Sequence, residues 1–271
     1  MRKSLLLLSI LLPQALTALP KKPWLGNVYE FFLDTSYTFS FYRRVANGEP
    51  GTHHSSNDNQ FFVGLGFTPS EYYDLAVEAE VSDTTRQSWN VRSAAIQGRY
   101  LWLDDILGDP LSLTTGVSIR GVHHSSLKDI SCPYSGEANF ELNMSLGKEW
   151  SRGPFWNLRT FGYGAVGIAN RGSPWTQFLA VLETNHLDKY RFNLFARGDF
   201  GFGNKNFVNV NHFLGYGSIH HQSVDIGAGY RRMFDLWGSL TFEYAHRVYA
   251  HAYPQGTNFF TLWYHLPFSL F

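Results

Sequence analysis

The chain has 271 residues, of which 44% are hydrophobic and 17% aromatic, and its 22 basic residues balance 22 acidic ones. This balance gives no electrostatic basis for nucleic-acid binding. The one cysteine, Cys132, excludes an internal disulfide framework. A chain of this length suits a single undivided all-β domain.

The first residues are typical of a secretory signal peptide. Met1, Arg2 and Lys3 open the chain, a short apolar run follows over residues 5–12, and Ala18 offers a small residue for cleavage. We predict a signal peptide over residues 1–18 and one domain over residues 19–271. The apolar run is too short to span a bilayer, and no later stretch approaches the roughly 18 apolar residues of a membrane helix. A mature chain that crosses a membrane must then be a closed β-barrel, because only helices and closed barrels satisfy every backbone group in lipid.

The rest of the chain alternates between apolar and polar residues with a period of two. In segment 136–150, for example, Phe140 and Leu142 fall on one face while Asn139 and Glu141 fall on the other. This alternation predicts amphipathic strands, and membrane barrels carry an even number of them. Segment 207–217 is a further candidate strand, but the even count favours twelve. The twelve predicted strands lie near residues 28–43, 58–68, 72–82, 88–103, 111–123, 136–150, 155–169, 174–185, 189–202, 222–233, 238–251 and 257–270.

The connections between these strands predict which end of the barrel faces outward. Short turns near 68–71 and 151–154 alternate along the chain with longer loops such as 124–135 and 203–221. Short turns are typical of the periplasmic end and long loops of the outer end. Tryptophans fall near both ends, as in the aromatic girdles of membrane barrels. They are Trp102, Trp150, Trp156 and Trp237 at the periplasmic end and Trp89 and Trp175 at the outer end.

Together, the signal peptide, the alternating strands, the girdles and the terminal Phe271 resemble a bacterial outer-membrane β-barrel protein. The resemblance covers the mature chain. It implies an all-β transmembrane antiparallel barrel of about twelve strands in the bacterial outer membrane. It also implies contact with outer-membrane lipids and lipopolysaccharide, and recognition by the outer-membrane assembly machinery. No nucleic-acid partner and no cofactor are predicted, and the oligomeric state stays open.

The polar faces of the predicted strands carry charges of both signs. Barrels of eight strands fill their interior with side chains and barrels of sixteen enclose a channel, so twelve strands fall between. These charges therefore either line a narrow pore or pair into a closed interior, and their balance predicts weak ion selectivity. The predicted lumen residues are Arg99, Arg120, Arg159, Arg191, Arg197, Arg231, Arg247, Glu30, Asp34, Glu78, Glu80, Glu141, Asp199, Asp225 and Glu243.

Histidines concentrate in the predicted outer loops. Two loops carry the same His-His-Ser-Ser run, at residues 53–56 and 123–126, and His220 and His221 form a third pair. Imidazoles in such positions could bind a metal ion or act as a base to a serine. Polar outer loops also collect such residues without a role. The sequence leaves metal binding open.

One of these loops resembles, weakly and locally, the His-x-Ser motif of outer-membrane phospholipases and lipid A deacylases. The resemblance implies that Ser125 is a nucleophile, His123 its base and Glu137 the acid that orients the histidine. Alternation along the strand predicts that Glu137, like Asn139, faces the lumen. A bulge is therefore needed to place Glu137 on the lipid-facing side with His123. The Asn and Gly that usually follow the serine in these families are replaced by Ser126-Leu127-Lys128.

The favoured functional prediction is a passive outer-membrane barrel, either a narrow solute pore or a surface-exposed structural or adhesive protein. The alternative is an outer-membrane lipid ester hydrolase with a Ser-His-Glu site at the extracellular rim. The sequence names neither a solute nor a lipid substrate.

Overall fold

The computed structural model describes residues 21–49, 54–152, 156–187 and 189–269. Within these ranges, twelve long strands form one closed antiparallel barrel, in which each long strand pairs with the next one along the chain and the first pairs with the last. No helix in the described part of the chain is long and apolar enough to cross a membrane. The predicted signal peptide lies outside the described residues. The barrel strands are β1 (Phe31–Tyr42), β3 (Ser56–Ser70), β4 (Tyr73–Asp83), β5 (Asn90–Leu103), β6 (Ser112–Val122), β7 (Ala138–Arg152), β8 (Trp156–Ala169), β9 (Trp175–His186), β10 (Tyr190–Gly201), β11 (Gln222–Met233), β12 (Ser239–His251) and β14 (Asn258–Phe268).

The twelve-stranded barrel confirms the predicted fold class and strand count. The predicted limits differ from the observed ones by at most three residues, as at the start of β1, where 28 was expected and Phe31 is found. Segment 207–217 is not a barrel strand. It contributes one isolated bridge between Val208 and Gly48 and a single 3-10 turn over Tyr216–Ser218. The barrel closes where β1 pairs with β14, in a register that sets Thr38 opposite Thr261.

The two faces of the wall have opposite character because successive side chains of a strand point to opposite sides of a sheet. Outward side chains are large and apolar, and Leu142 on β7 and Ile168 on β8 remain 60% and 57% exposed. Inward side chains are small or polar, and Ser36 and Thr38 on β1 are each 1% exposed. The exposed apolar side suits contact with lipid, and the interior is polar.

Aromatic side chains gather at the turn end of the barrel. Trp102 is 60% exposed and lies edge-on to Tyr100, with ring centroids 4.6 Å apart. Trp237 in another turn is 76% exposed. At the loop end, Trp89 is exposed as predicted, whereas Trp175 lines the interior because it shares the inward parity of Gln177.

At the loop end, apolar side chains from three loops pack into one cluster that closes over the barrel mouth. Tyr42 at the end of β1 reaches this cluster from the wall, and Tyr216 donates a hydrogen bond from its hydroxyl to the Ile130 carbonyl at 2.7 Å. Two short strands pair beside the cluster, β2 (Arg44–Val45) and β13 (Pro254–Gln255). We call this cluster the outer lid. Its buried members are Tyr42, Ile130, Val208, Val210, Phe213, Tyr216, Ile219, Ala252 and Tyr253.

Candidate functional site in the barrel lumen

On one side of the lumen, charged side chains form ion pairs between different strands. Arg99 on β5 donates from Nε to Oδ1 of Asp74 on β4 at 2.9 Å, because the register sets these residues opposite each other. Arg120 on β6 pairs with Glu78 on β4. All four side chains are at least nine-tenths buried, so each charge needs its partner.

The other side of the lumen repeats this arrangement. Arg197 on β10 and Arg247 on β12 share Asp225 on β11, at 2.9 Å and 2.7 Å. Arg191 on β10 lies 3.3 Å from Glu183 on β9. These pairs cross strand boundaries, and they brace the wall from inside.

The remaining predicted lumen residues are placed as follows. Glu80 pairs with Arg92 at 3.4 Å, and Arg159 pairs with Glu149. Arg231 donates to the Thr241 hydroxyl at 2.8 Å, Glu243 accepts from the Trp263 indole at 3.3 Å, and Glu141 accepts from the Tyr163 hydroxyl. Asp199 lines an interior cavity. Asp34 contacts His265 at 2.7 Å toward the turn end. Glu30 precedes β1 and accepts a bond from the Asn27 amide at 3.0 Å, outside the strand ladder.

Sequence reasoning missed Arg92, whose side chain is 1% exposed in the lumen. The ladder between β4 and β5 shifts register between Glu80 and Val81, and both Arg92 and Ser93 are buried. A bulge of this kind changes which face a residue occupies. Strict alternation from Arg99 would have placed Arg92 outside, so no sequence pattern could have found it.

The chain before β1 turns into the lumen from the turn end of the barrel. Trp24 donates from its indole nitrogen to Oδ1 of Asp105, in the turn after β5, at 2.8 Å. Its ring lies edge-on to Phe161 on β8 and 4.8 Å from the Arg159 guanidinium. Trp24 therefore anchors this segment near the turn end. We call residues 21–26 the N-terminal strap.

Ahead of Trp24, the strap runs along the inner wall toward the lid. Thr114 donates to the Pro23 carbonyl, and Arg99 donates to the Lys22 carbonyl. Ser145 donates to the Lys21 carbonyl at 2.8 Å. Side chains of the wall thus satisfy three consecutive carbonyls of the strap.

Both lysines of the strap lie against acceptors in the lumen. The Lys22 ammonium contacts Oε2 of Glu183 at 3.0 Å. The Lys21 ammonium lies 5.0 Å from the centroid of the Tyr163 ring. An aromatic face and a carboxylate both stabilise a desolvated ammonium.

Between the strap and the lid lies a small polar cavity. Charged groups of both signs line it, among them Lys21, Arg120, Glu141 and Asp199. Its volume is about 40 Å³. A buried water needs roughly 10–15 Å³ on this measure, so the cavity accommodates a few waters and no solute.

At the outer rim, His123 and Ser125 come together as the hydrolase hypothesis requires. His123 Nδ1 lies 2.8 Å from Ser125 Oγ. The Ser125 oxygen also accepts from Gln87 Nε2 at 3.1 Å and from Asn90 Nδ2 at 3.0 Å. Because the oxygen already accepts from two amides, the hydroxyl is left to donate its proton to the imidazole. A serine nucleophile needs this hydrogen bond to a base.

Glu137 does not join this pair. Its Oε1 lies 2.6 Å from Nδ1 of His124, and this hydrogen bond lowers the pKa of the carboxyl. Among the described contacts, none joins a carboxylate to His123. The reason is local, because the His123 amide donates to the Arg92 carbonyl of β5 at 2.9 Å and so turns His123 away from Glu137, which directly precedes β7.

The other outer histidines do not converge on one point. The His221 ring stacks on Tyr253 with centroids 5.4 Å apart, and burial lowers the pKa of His221 to about 4. His54 lies against Tyr42, and His53 falls outside the described residues. In the described part of the chain, no group of three or more His, Cys, Asp or Glu side chains is placed to hold a metal ion.

No protein-family model and no curated protein matches the sequence. Among solved structures, an outer-membrane channel from Pseudomonas putida F1 aligns over 93% of this chain and 100% of its own, with a TM-score of 0.62 and 10% identity. The β domain of the Bordetella autotransporter Brka covers 89% of this chain and 100% of its own, with a TM-score of 0.49 and 12% identity. The NanC porin covers 85% of this chain and 97% of its own, with a TM-score of 0.48 and 11% identity.

The likeness to the Pseudomonas channel is one of fold. Together with the closed barrel of twelve strands and its apolar outer wall, it confirms the predicted class, an outer-membrane β-barrel protein. Such a wall faces the lipids of the outer membrane.

Proposed function

We propose that the protein is an outer-membrane channel for small polar solutes, and that the structure is its closed state. The observation that carries this proposal is the nature of the obstruction. The lumen is closed by two segments distinct from the barrel wall, the N-terminal strap and the outer lid. The wall bears paired charges of both signs and is polar along its length. If the strap and the lid moved out of the lumen, water would fill it.

Charge balance in the lumen defines the expected selectivity. Arginines and carboxylates alternate around the wall, as in the group of Arg197, Asp225 and Arg247, so neither sign of ion meets a ring of like charge. Rings of a single sign are what give pores strong ion selectivity. We expect the open pore to discriminate weakly between cations and anions.

Conductance in a planar bilayer under a salt gradient tests this proposal. The expected result is rare stepwise openings with a reversal potential close to zero. A protein that migrates as a folded, heat-modifiable barrel and yet stays silent under all voltages, with strap and lid both displaced, would refute the channel. That result would leave the structural or adhesive role.

A second candidate function, lipid ester hydrolysis, is favoured by the contact between His123 and Ser125 at the outer rim. The exposed apolar residues Trp89 and Val91 flank Asn90, whose side-chain amide contacts Ser125, so an acyl chain could lie there. The expected variant behaviour is loss of phospholipid or lipid A hydrolysis in Ser125→Ala. In the matched control His124→Ala, activity is retained, because His124 contacts Glu137 and not the serine. If the unaltered protein hydrolyses neither lipid, this candidate falls.

The partners of the barrel follow from its class. We include lipopolysaccharide among the lipids that the outer wall meets. We also assign recognition by the assembly machinery to the last strand, β14, whose Phe260, Leu262 and Tyr264 alternate along one face. Residues 270–271, which end the chain, fall outside the described residues.

A further inference from the structure

The strap occupies the lumen in the manner of a bound peptide. Its sequence, Pro20-Lys21-Lys22-Pro23-Trp24, places prolines on both sides of the two lysines. Lys22 precedes Pro23, which restricts its backbone, and the chain bends over residues 22–24 as it lies in the lumen. Because these residues belong to no helix or strand, their carbonyls and side chains are available to the surrounding wall.

The wall recognises the backbone of this segment through donors on three different strands. Arg99 is on β5, Thr114 on β6 and Ser145 on β7, and each donates to one strap carbonyl. These donors sit on rigid barrel strands and not on loops, so their spacing is fixed by strand separation. Contacts to carbonyls are independent of the side chains that the peptide carries.

The wall also recognises particular side chains. Glu183 is 2% exposed and takes the Lys22 ammonium, with Arg191 on its other oxygen at 3.3 Å. Asp105 takes the Trp24 indole, whose ring also meets Phe161. A carboxylate for an ammonium and an aromatic pocket for an indole are features of a specific site.

The wall further leaves room for the strap at one glycine. A Cβ on Gly147 of β7 would lie 2.6 Å from Cγ of Pro23 and 3.0 Å from the Trp24 ring. A real Cβ essentially never lies 2.6 Å from another carbon, so a larger residue at this position would require Pro23 of the strap to shift. The close approach of strap and wall requires glycine here.

From these contacts we infer that the inner wall of β5–β9 is a binding site for short, lysine-containing peptides, and that the strap occupies it as an intramolecular ligand. The site rests on the proposed function only in that it lies in the path a solute would take. The ligand class is a short cationic peptide with a lysine for Glu183 and an aromatic residue for the pocket of Phe161 and Asp105. The strap, tethered to β1, competes with such a peptide at an effective concentration in the millimolar range.

Peptide binding to the folded barrel in detergent micelles tests this site. The receptor variant replaces Lys21–Trp24 with glycines and serines. The probe is a fluorescent peptide with the sequence of residues 19–25, and its anisotropy reports binding. We expect saturable binding to the replaced barrel and binding at least about tenfold weaker to the unaltered protein, whose site is filled.

Two changes test recognition of the lysine. A probe peptide carrying Lys22→Ala, or a strap-replaced barrel carrying Glu183→Gln, loses one buried charged contact and should bind about tenfold more weakly. The control Glu71→Gln, in an exposed turn, should leave the affinity unchanged. Heat-modifiable migration verifies that each variant is folded.

Equal binding of the probe to the unaltered and strap-replaced barrels would overturn the inference, as would equal binding of the lysine and alanine peptides. Binding in micelles does not depend on conduction. A barrel that binds the peptide and never conducts would overturn the channel and support the site, whereas one that conducts and never binds would overturn the site alone.

Discussion

Truncation of Tyr216 should open the outer lid. This side chain is 1% exposed, and its ring contacts those of Phe213, His221 and Tyr253 at centroid separations of 4.5–4.8 Å. Its hydroxyl also satisfies the Ile130 carbonyl. Replacing a buried aromatic ring by alanine costs about 3–5 kcal/mol. A cost of that size shifts the equilibrium between closed and open lid by roughly a hundredfold or more.

Hydrogen exchange of the lid amides measures this shift. The amides of Val208, Tyr216 and Ile219 donate within the lid, to Asn47, Tyr134 and Tyr216 respectively, so they exchange only when it opens. In Tyr216→Ala they should exchange faster by the same factor. Tyr216→Phe, which loses only the hydroxyl, should cost about 1 kcal/mol.

Leu214→Ala is the matched control for lid opening, because Leu214 lies in the same loop and is 51% exposed. A surface truncation of this kind should change stability by no more than about 0.5 kcal/mol. Exchange rates in Tyr216→Ala equal to those in Leu214→Ala would refute the packing role assigned to Tyr216.

Two further predictions concern the wall and the lid. Glu78→Gln leaves Arg120 buried without its carboxylate, so we expect a loss of about 3–5 kcal/mol in urea unfolding, against no loss in the exposed control Glu71→Gln. An unchanged unfolding midpoint in Glu78→Gln would contradict this. Because burial lowers the pKa of His221 to about 4, against 6.5 in an open loop, lid closure should be fully favourable above pH 6.5 and weaken as the pH falls toward 4. The opening of the lid measured by hydrogen exchange should therefore increase as the pH falls from 6.5 to 4, and this increase should be absent in His221→Gln. An increase of equal size in the variant would exclude His221 as its source.

The strands were predictable because alternation is a property of the wall itself. A lipid outside and a polar lumen inside force period two on each strand, and the register between strands then follows from their sequential pairing. Asp74 and Arg99, for instance, fall opposite each other once β4 and β5 are aligned. A single bulge at Arg92 on β5, opposite Glu80 and Val81, is enough to break the pattern, which is why Arg92 was missed.

The strap and the lid were not predictable in the same way. Residues 21–26 have no periodicity, and their place in the lumen depends on donors far along the chain, such as Ser145. The lid joins residues from three loops and the end of β1, so no local sequence pattern predicts it. At the rim, spacing predicted that His123 and Ser125 approach, but the chain direction after Val122 sends Glu137 to His124 instead.

The most direct test of the channel is single-channel conductance of a barrel with both obstructions removed. The variant combines the glycine and serine replacement of Lys21–Trp24 with Tyr216→Ala, and it is compared with each single change and with the unaltered protein. Because strap and lid lie in series along the lumen, we predict rare openings in the unaltered protein, little increase in either single variant, and sustained stepwise conductance with a near-zero reversal potential in the double variant. A double variant that is folded by heat-modifiable migration and stays silent would contradict the proposal that the lumen is a closed solute path.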